Sequence, residues 1–361
     1  MTLDLFDKLA GVKESNLHKK FKFLRDNILL DGERKILASW TDGFIDRDNK
    51  IVKEFQTAFH SSFWEFYLYK VFKDAGFSID FSKDRPDFII NSPTEINIEA
   101  VVANIKQGGI GEEHRNIDNI LSMLEPPHLQ ENYKEFLDEA IARNSSAILK
   151  KSDKYKDSYS SCPWVKSETP FVVALSSYGQ IDYGREYYYP LLALLYGLYF
   201  NPSKNDFDIV TEIKKPKTTS SIPVGIFNDN SMSHISAIIF SCTTTLGKLT
   251  SLSISQSLST HQLNTVMIIR EDDEAPIYKT QIVSPNNPEE ISDGLFIFHN
   301  PFARNSIPKE IFKTTNIFQI TFENRKLAFE GENSPIVSRF NIPQMLFSNH
   351  IIHNINKKFN G

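Results

Sequence analysis

Only two cysteines, Cys162 and Cys242, occur in 361 residues, too few and too far apart for a disulfide framework or a cysteine-built zinc site. That scarcity fits a reduced, cytoplasmic setting. Long apolar runs are also missing. The most apolar stretch, YYYPLLALLYGLYF at 187–200, is shorter than the roughly 20 residues of a spanning helix and reads as a buried core helix. With no signal-peptide pattern in view either, no membrane partner is expected. An excess of positive charge is absent: 40 basic against 45 acidic residues give a formal charge of −5. Any contact with nucleic acid must therefore use local patches rather than an overall basic field. The glycines of KQGGIGEEHRN (106–116) lack the G-x-x-x-x-G-K-[ST] order of a phosphate cradle and read as a flexible loop. A serine hydrolase is excluded because there is no G-x-S-x-G elbow, and the serine-rich stretch 243–259 shows no strand-turn-helix setting. No internal repeat is present.

What is present centres on Ser61 to Asn104, which reads as a helix ending near Gly76 followed by three β-rich runs, FSIDF, PDFII and INIEAVV. Three acids stand at positions that need a reason. Glu65 interrupts the apolar or small stripe of Ala58, Ser62, Leu68 and Phe72; Asp87 opens one strand; Glu99 lies inside the next with apolar neighbours. Adjacent strands would bring Asp87 and Glu99 together, and a hard divalent cation would balance them.

The residues FWEFYL, RPDF, INIEA, KKSDKY and PFVVAL together resemble the PD-(D/E)XK nuclease superfamily, in a group of largely uncharacterised prokaryotic proteins. The resemblance covers Phe63 to Ser177. It implies an α/β, restriction-endonuclease-like mixed-sheet core flanked by helices, with Mg²⁺ or Mn²⁺ held by Asp87 and Glu99 and with Glu65 as a third acid. The superfamily carries a lysine two positions after the second acid, where this chain has Val101. The missing ammonium must come from elsewhere in the core.

The segment 132–155 has helical periodicity, with Tyr133, Leu137, Ile141, Ile148 and Tyr155 along one stripe. On another stripe Ala140, Arg143, Ala147, Lys150 and Lys154 recur at spacings of three and four. Lys150 is the expected substitute for the missing lysine, preferred over Lys106 on its glycine-rich loop. Arg143, Lys150 and Lys154 are the expected nucleic-acid-binding residues, with Lys214, Lys215 and Lys217 a weaker candidate. The candidate catalytic set is thus Glu65, Asp87, Glu99 and Lys150.

The first sixty residues read as helical: LDLFDKLAGV, a second helix capped by Ser15, then a helix from Ile51 running through to Ala75. PFVVALSS reads as a central strand covered on both faces. Beyond a proline-bearing linker, six further strands continue the sheet or form an appended β module. The expected layout is an N-terminal helical region (1–60), a nuclease-like core (61–200) and a β-rich C-terminal part (201–361). His299-Asn300-Pro301 reads as a structural turn. The expected function is metal-dependent hydrolysis of phosphodiester bonds in nucleic acid, DNA before RNA, in a setting such as restriction or phage defence. The competing expectation is a catalytically degenerate module of the same fold that binds nucleic acid or a protein partner. The oligomeric state, a homodimer included, is left open.

Overall fold

The computed structural model describes residues 3–105, 108–116, 123–258, 263–272, 275 and 277–360. Lys106, one of the lysines weighed above, lies outside them. The chain is mixed α/β, and its centre is an eight-stranded mixed sheet. Across that sheet the strands run β1 (Ser78–Asp80), β2 (Phe88–Ser92), β3 (Ile96–Asn104), β4 (Phe171–Tyr178), β9 (Ala237–Ser241), β12 (Phe296–His299), β13 (Phe318–Glu323) and β14 (Lys326–Glu330). β1, β2 and β3 form an antiparallel meander; β3, β4 and β9 are parallel. Strands from both sides of residue 200 thus hydrogen-bond in one sheet. β10 (Asn264–Glu271), β11 (Tyr278–Ile282) and β15 (Ile336–Pro343) make a separate three-stranded sheet. Two hairpins, β5–β6 (Leu198–Asn201, Asp206–Ile209) and β7–β8 (Glu212–Lys214, Ser221–Pro223), complete the strands.

Parallel strands need a crossover and are covered on both faces, which explains why all eight residues of β4 are buried. On one face lies α4 (His60–Asp74), whose Phe63, Trp64, Tyr67 and Leu68 join Ile98, Ala100, Val172 and Ala174 in one apolar cluster. The Trp64 indole N–H donates to the carbonyl of Ala174 at 3.0 Å, pinning helix to strand. On the other face α5 (Tyr133–Asp157) buries Tyr133, Leu137, Ile141 and Ile148, as its periodicity predicts. Gly76, in the left-handed region at φ +76°, ends α4 two residues after Asp74.

Several sequence expectations are corrected. Residues 3–13 are not helical, and the cap of α1 (Lys19–Asp26) is His18, not Ser15: its ring accepts the amide of Lys20. α2 (Asp31–Thr41) follows. The helix expected from Ile51 to Ala75 is two, α3 (Ile51–Thr57) and α4, broken where Phe59 takes φ +65°. The run 187–200 is buried but only partly helical: α6 (Tyr189–Leu191) passes into a π turn, Leu192–Tyr196, then Gly197 at φ +76° turns the chain into β5. The serine-rich stretch does follow a strand, through a turn, into a helix, α7 (Leu246–Ser255), so the premise used against a hydrolase fails, although no elbow motif is there. The C-terminal helix α8 (Asn349–Asn360) was not foreseen.

A buried ion cluster ties the two sheets together. The Lys248 ammonium of α7 donates to Glu289 at 2.6 Å and to the carbonyls of Glu290 and Asp293, while Arg339 of β15 pairs with the same carboxylate. Burial alone would push the Glu289 carboxyl up, but Arg339 and Lys248 outweigh it and hold it down at about 2. Glu289→Ala leaves two buried cations without their counter-charge. Urea unfolding at pH 7 should show a loss of about 3–5 kcal/mol. Because the folded carboxyl titrates below its usual 4.5, the stabilisation is complete above that pH and fades as pH falls toward 2. An unchanged midpoint in the variant would contradict this role.

Candidate active site

The alternation of β3 sends Ile98 and Ala100 toward α4 and Glu99 and Val101 toward α5. Glu99 is 1% exposed. A carboxylate so placed needs charge partners, and α5 supplies them. Lys151 donates to Glu99 Oε1 at 2.6 Å, Lys154 at 3.1 Å, and the Tyr159 hydroxyl just past the helix at 2.8 Å. Burial, then the Glu99 charge, pushes the Tyr159 phenol upward, so it stays protonated and donates. The second oxygen, Glu99 Oε2, is buried and has no hydrogen-bond partner among the described residues.

Asp87 stands just before β2, whose register of Phe88 against Ile98 puts Asp87 across from Glu99. Its Oδ2 accepts the amide of Ala100 at 2.8 Å. The Arg47 guanidinium donates to the Pro86 and Asp87 carbonyls at 3.2 Å each, and the Trp164 indole to the Arg85 carbonyl at 2.8 Å. These contacts fix the loop that presents the carboxyl. Burial first, and the neighbouring Glu99 second, raise Asp87 to about 6, against the pull of Lys151 and Lys154. Glu65, half-buried on α4, is raised well above its ordinary value by burial and then by Asp87, with Glu99 a smaller contributor. The three acids named from sequence therefore share one electrostatic environment.

The basic residues sort differently. Arg143 is half-buried and pairs with Glu139 on its own helix at 2.8 Å. Lys150 is exposed and is not among the donors to Glu99. Lys154 is turned onto Glu99 rather than held free for phosphate. The cation that sequence reasoning passed over is Lys151. From Ala147 a stripe can continue by three residues to Lys150 or by four to Lys151, and the row that leads to Glu99 runs from buried Ala140 and Asn144 through half-buried Ala147 and Lys151 to exposed Lys154. Asn144, fully buried, would have chosen between them. Lys214, Lys215 and Lys217 are exposed on the β7–β8 hairpin.

The donor set bears on a hard cation in two ways. Among the described residues, Glu65, Asp87 and Glu99 are not a group whose carboxylate oxygens all lie within 4.8 Å, so they make no closed three-acid cage. Asp87 and the orphaned Oε2 of Glu99 are carboxylate oxygens at facing strand positions, the donor type that hard cations prefer. The sequence matches no family model, and no curated protein or solved structure is significantly similar to it. No helix among the described residues is long and apolar enough to cross a membrane.

The crowding of acids should be measurable in metal-free protein. Asp87 is raised, so its ionised form costs stability above pH 6, and the cost lifts as pH falls through 6 and is gone below its usual 3.8. Asp87→Asn keeps the acceptor for the Ala100 amide and removes the charge. At pH 8 it should be more stable than the parent by about 2–3 kcal/mol, with the gain vanishing near pH 4. Chemical unfolding across that range checks it; a destabilised variant at pH 8 would contradict the crowding.

Proposed function

We propose that the chain is a metal-dependent nuclease, hydrolysing phosphodiester bonds of nucleic acid, DNA in the first instance, at the site formed by Asp87, Glu99, Lys151 and Glu65. The observation that carries this reading is the contact of Lys151 with Glu99. It supplies from α5 the ammonium that the resembled superfamily places where Val101 stands. The order α4, β1, β2, β3, α5, β4, with a parallel β3–β4 pair, supports the same reading, since it is a helix, a three-strand meander, a crossover helix and a strand.

In this reading Asp87 and Glu99 Oε2 would hold one Mg²⁺ or Mn²⁺, which when bound lowers the pKa of a coordinated water and offsets phosphate charge. Lys151 and Lys154 set two ammonium groups against Glu99 Oε1 and fix its orientation. Lys151, 17% exposed and anchored on a 25-residue helix, is held more firmly than a loop lysine and presents its charge toward a pentavalent phosphorus as it gains negative charge. Tyr159 holds Glu99 from the side. Burial, and then Asp87, raise the Glu65 carboxyl well above its ordinary value, which disfavours a third negative charge beside Asp87. One observation favours the alternative, a binding module of the same fold: Glu99 Oε1 is already satisfied by two ammonium groups and a hydroxyl.

The two readings part in a cleavage assay on single- and double-stranded DNA and RNA with Mg²⁺ or Mn²⁺. The nuclease reading expects Lys151→Met to lower cleavage by about 10²-fold or more, the scale of losing one transition-state donor. Lys150→Met should cleave as the parent does. Loss in Lys150→Met with activity kept in Lys151→Met would overturn the assignment. Parent protein inert on every substrate and metal would leave the binding module as the reading.

A further inference from the structure

A second cluster stands at the other end of the parallel strands. β4 ends at Tyr178, and the His60 imidazole, first residue of α4, stacks on that ring with centroids 4.1 Å apart. His60 Nε2 lies 3.1 Å from Oε1 of Glu112, in the loop after β3, and the His18 ring packs edge-on against His60 at 5.4 Å. One donor atom from each of His18, His60 and Glu112 lies within 4.8 Å of the others. We propose that these three residues bind a divalent transition-metal ion of the zinc class, at a site separate from the carboxylates around Glu99.

The chemistry of the donors selects the ion. Two imidazoles and one carboxylate suit zinc and its borderline neighbours, whereas Mg²⁺ and Ca²⁺ prefer oxygen alone. The spacing is close to that of a metal shell. With ligand bonds of about 2.0–2.2 Å, two donors on a tetrahedral ion sit about 3.3 Å apart, near the separation of His60 Nε2 and Glu112 Oε1.

The outer partners are also in place. Lys20 lies 2.8 Å and the Tyr183 hydroxyl 2.7 Å from Glu112 Oε2, so they orient the carboxylate and leave Oε1 to the ion. Lys20, Arg115 and Tyr183 also line a cavity of about 250 Å³ that reaches the turn between β9 and α7. Its position outside the carboxyl ends of parallel strands is where ligands of open α/β sheets bind. The Lys20 ammonium opposes a second cation, so binding is expected in the micromolar range rather than at the tightness of closed structural zinc sites.

The test uses the full chain with Co²⁺ and Zn²⁺ and needs no substrate, so it stands or falls apart from the nuclease reading. Co²⁺ should give visible d–d bands, displaced by Zn²⁺ with matching heat in calorimetry. His60→Gln and Glu112→Gln should each weaken binding by ~10-fold or more. Lys20→Met should tighten it. Misfolding also silences a variant, so His60→Cys adds a positive signal: a thiolate-to-cobalt charge-transfer band absent from the parent. Absence of cobalt bands and zinc heat in the parent, or bands unchanged in both Gln variants, would overturn the proposal.

Discussion

A carboxylate inside the central sheet, Glu99, is the constraint on which this half of the molecule depends. A buried ionised group without partners would cost several kcal/mol, comparable with the net stability of a domain. The chain meets that cost by bringing the last turns of α5 over β3, so that Lys151, Lys154 and Tyr159 all reach one oxygen. The crossover that makes β3 and β4 parallel thereby also builds the site. An apolar residue at 99 would serve the fold at least as well, since buried ion pairs add little net stability. That the chain keeps an acid there, with its second oxygen unsatisfied, is the strongest sign that the position is used.

How much of this was legible follows from the kind of signal each element leaves. The meander and β4 were readable because strands buried on one or both faces have distinct apolar patterns, and the buried stripe of α5 because tyrosine, leucine and isoleucine repeat at its pitch. The three acids were readable because each breaks such a pattern. Lys151 was not, since a helical stripe that advances by three or four residues leaves neighbouring positions undecided until the buried small residues, Asn144 above all, are known. Helix α7 was hidden by the serines and the glycine of LGKLTSLSIS, poor helix formers whose Ser251 and Ser253 are buried by tertiary packing. α8 was missed although Ile351, Ile355 and Phe359 repeat every four residues. The His18, His60 and Glu112 cluster joins three segments with no sequence pattern in common, so only the fold could assemble it.

The two clusters divide the sheet between them. Around Glu99 stand carboxylates, with the ammonium groups of Lys151 and Lys154 against one of them. Around His60 the donors are mixed nitrogen and oxygen, near a cavity with Lys20, Arg115 and Arg339 on its wall. α4 carries a residue of each, Glu65 and His60, within two turns.

The nuclease proposal requires that Asp87 and Glu99 together hold a hard metal ion beside Lys151. A crystal soaked in Mn²⁺ and measured for anomalous scattering tests it most directly. The expected map has a peak bonded to Asp87 and to Oε2 of Glu99, with Lys151 still on Oε1. A map with no peak at these carboxylates, at a concentration of Mn²⁺ that saturates hard-ion sites, would contradict it.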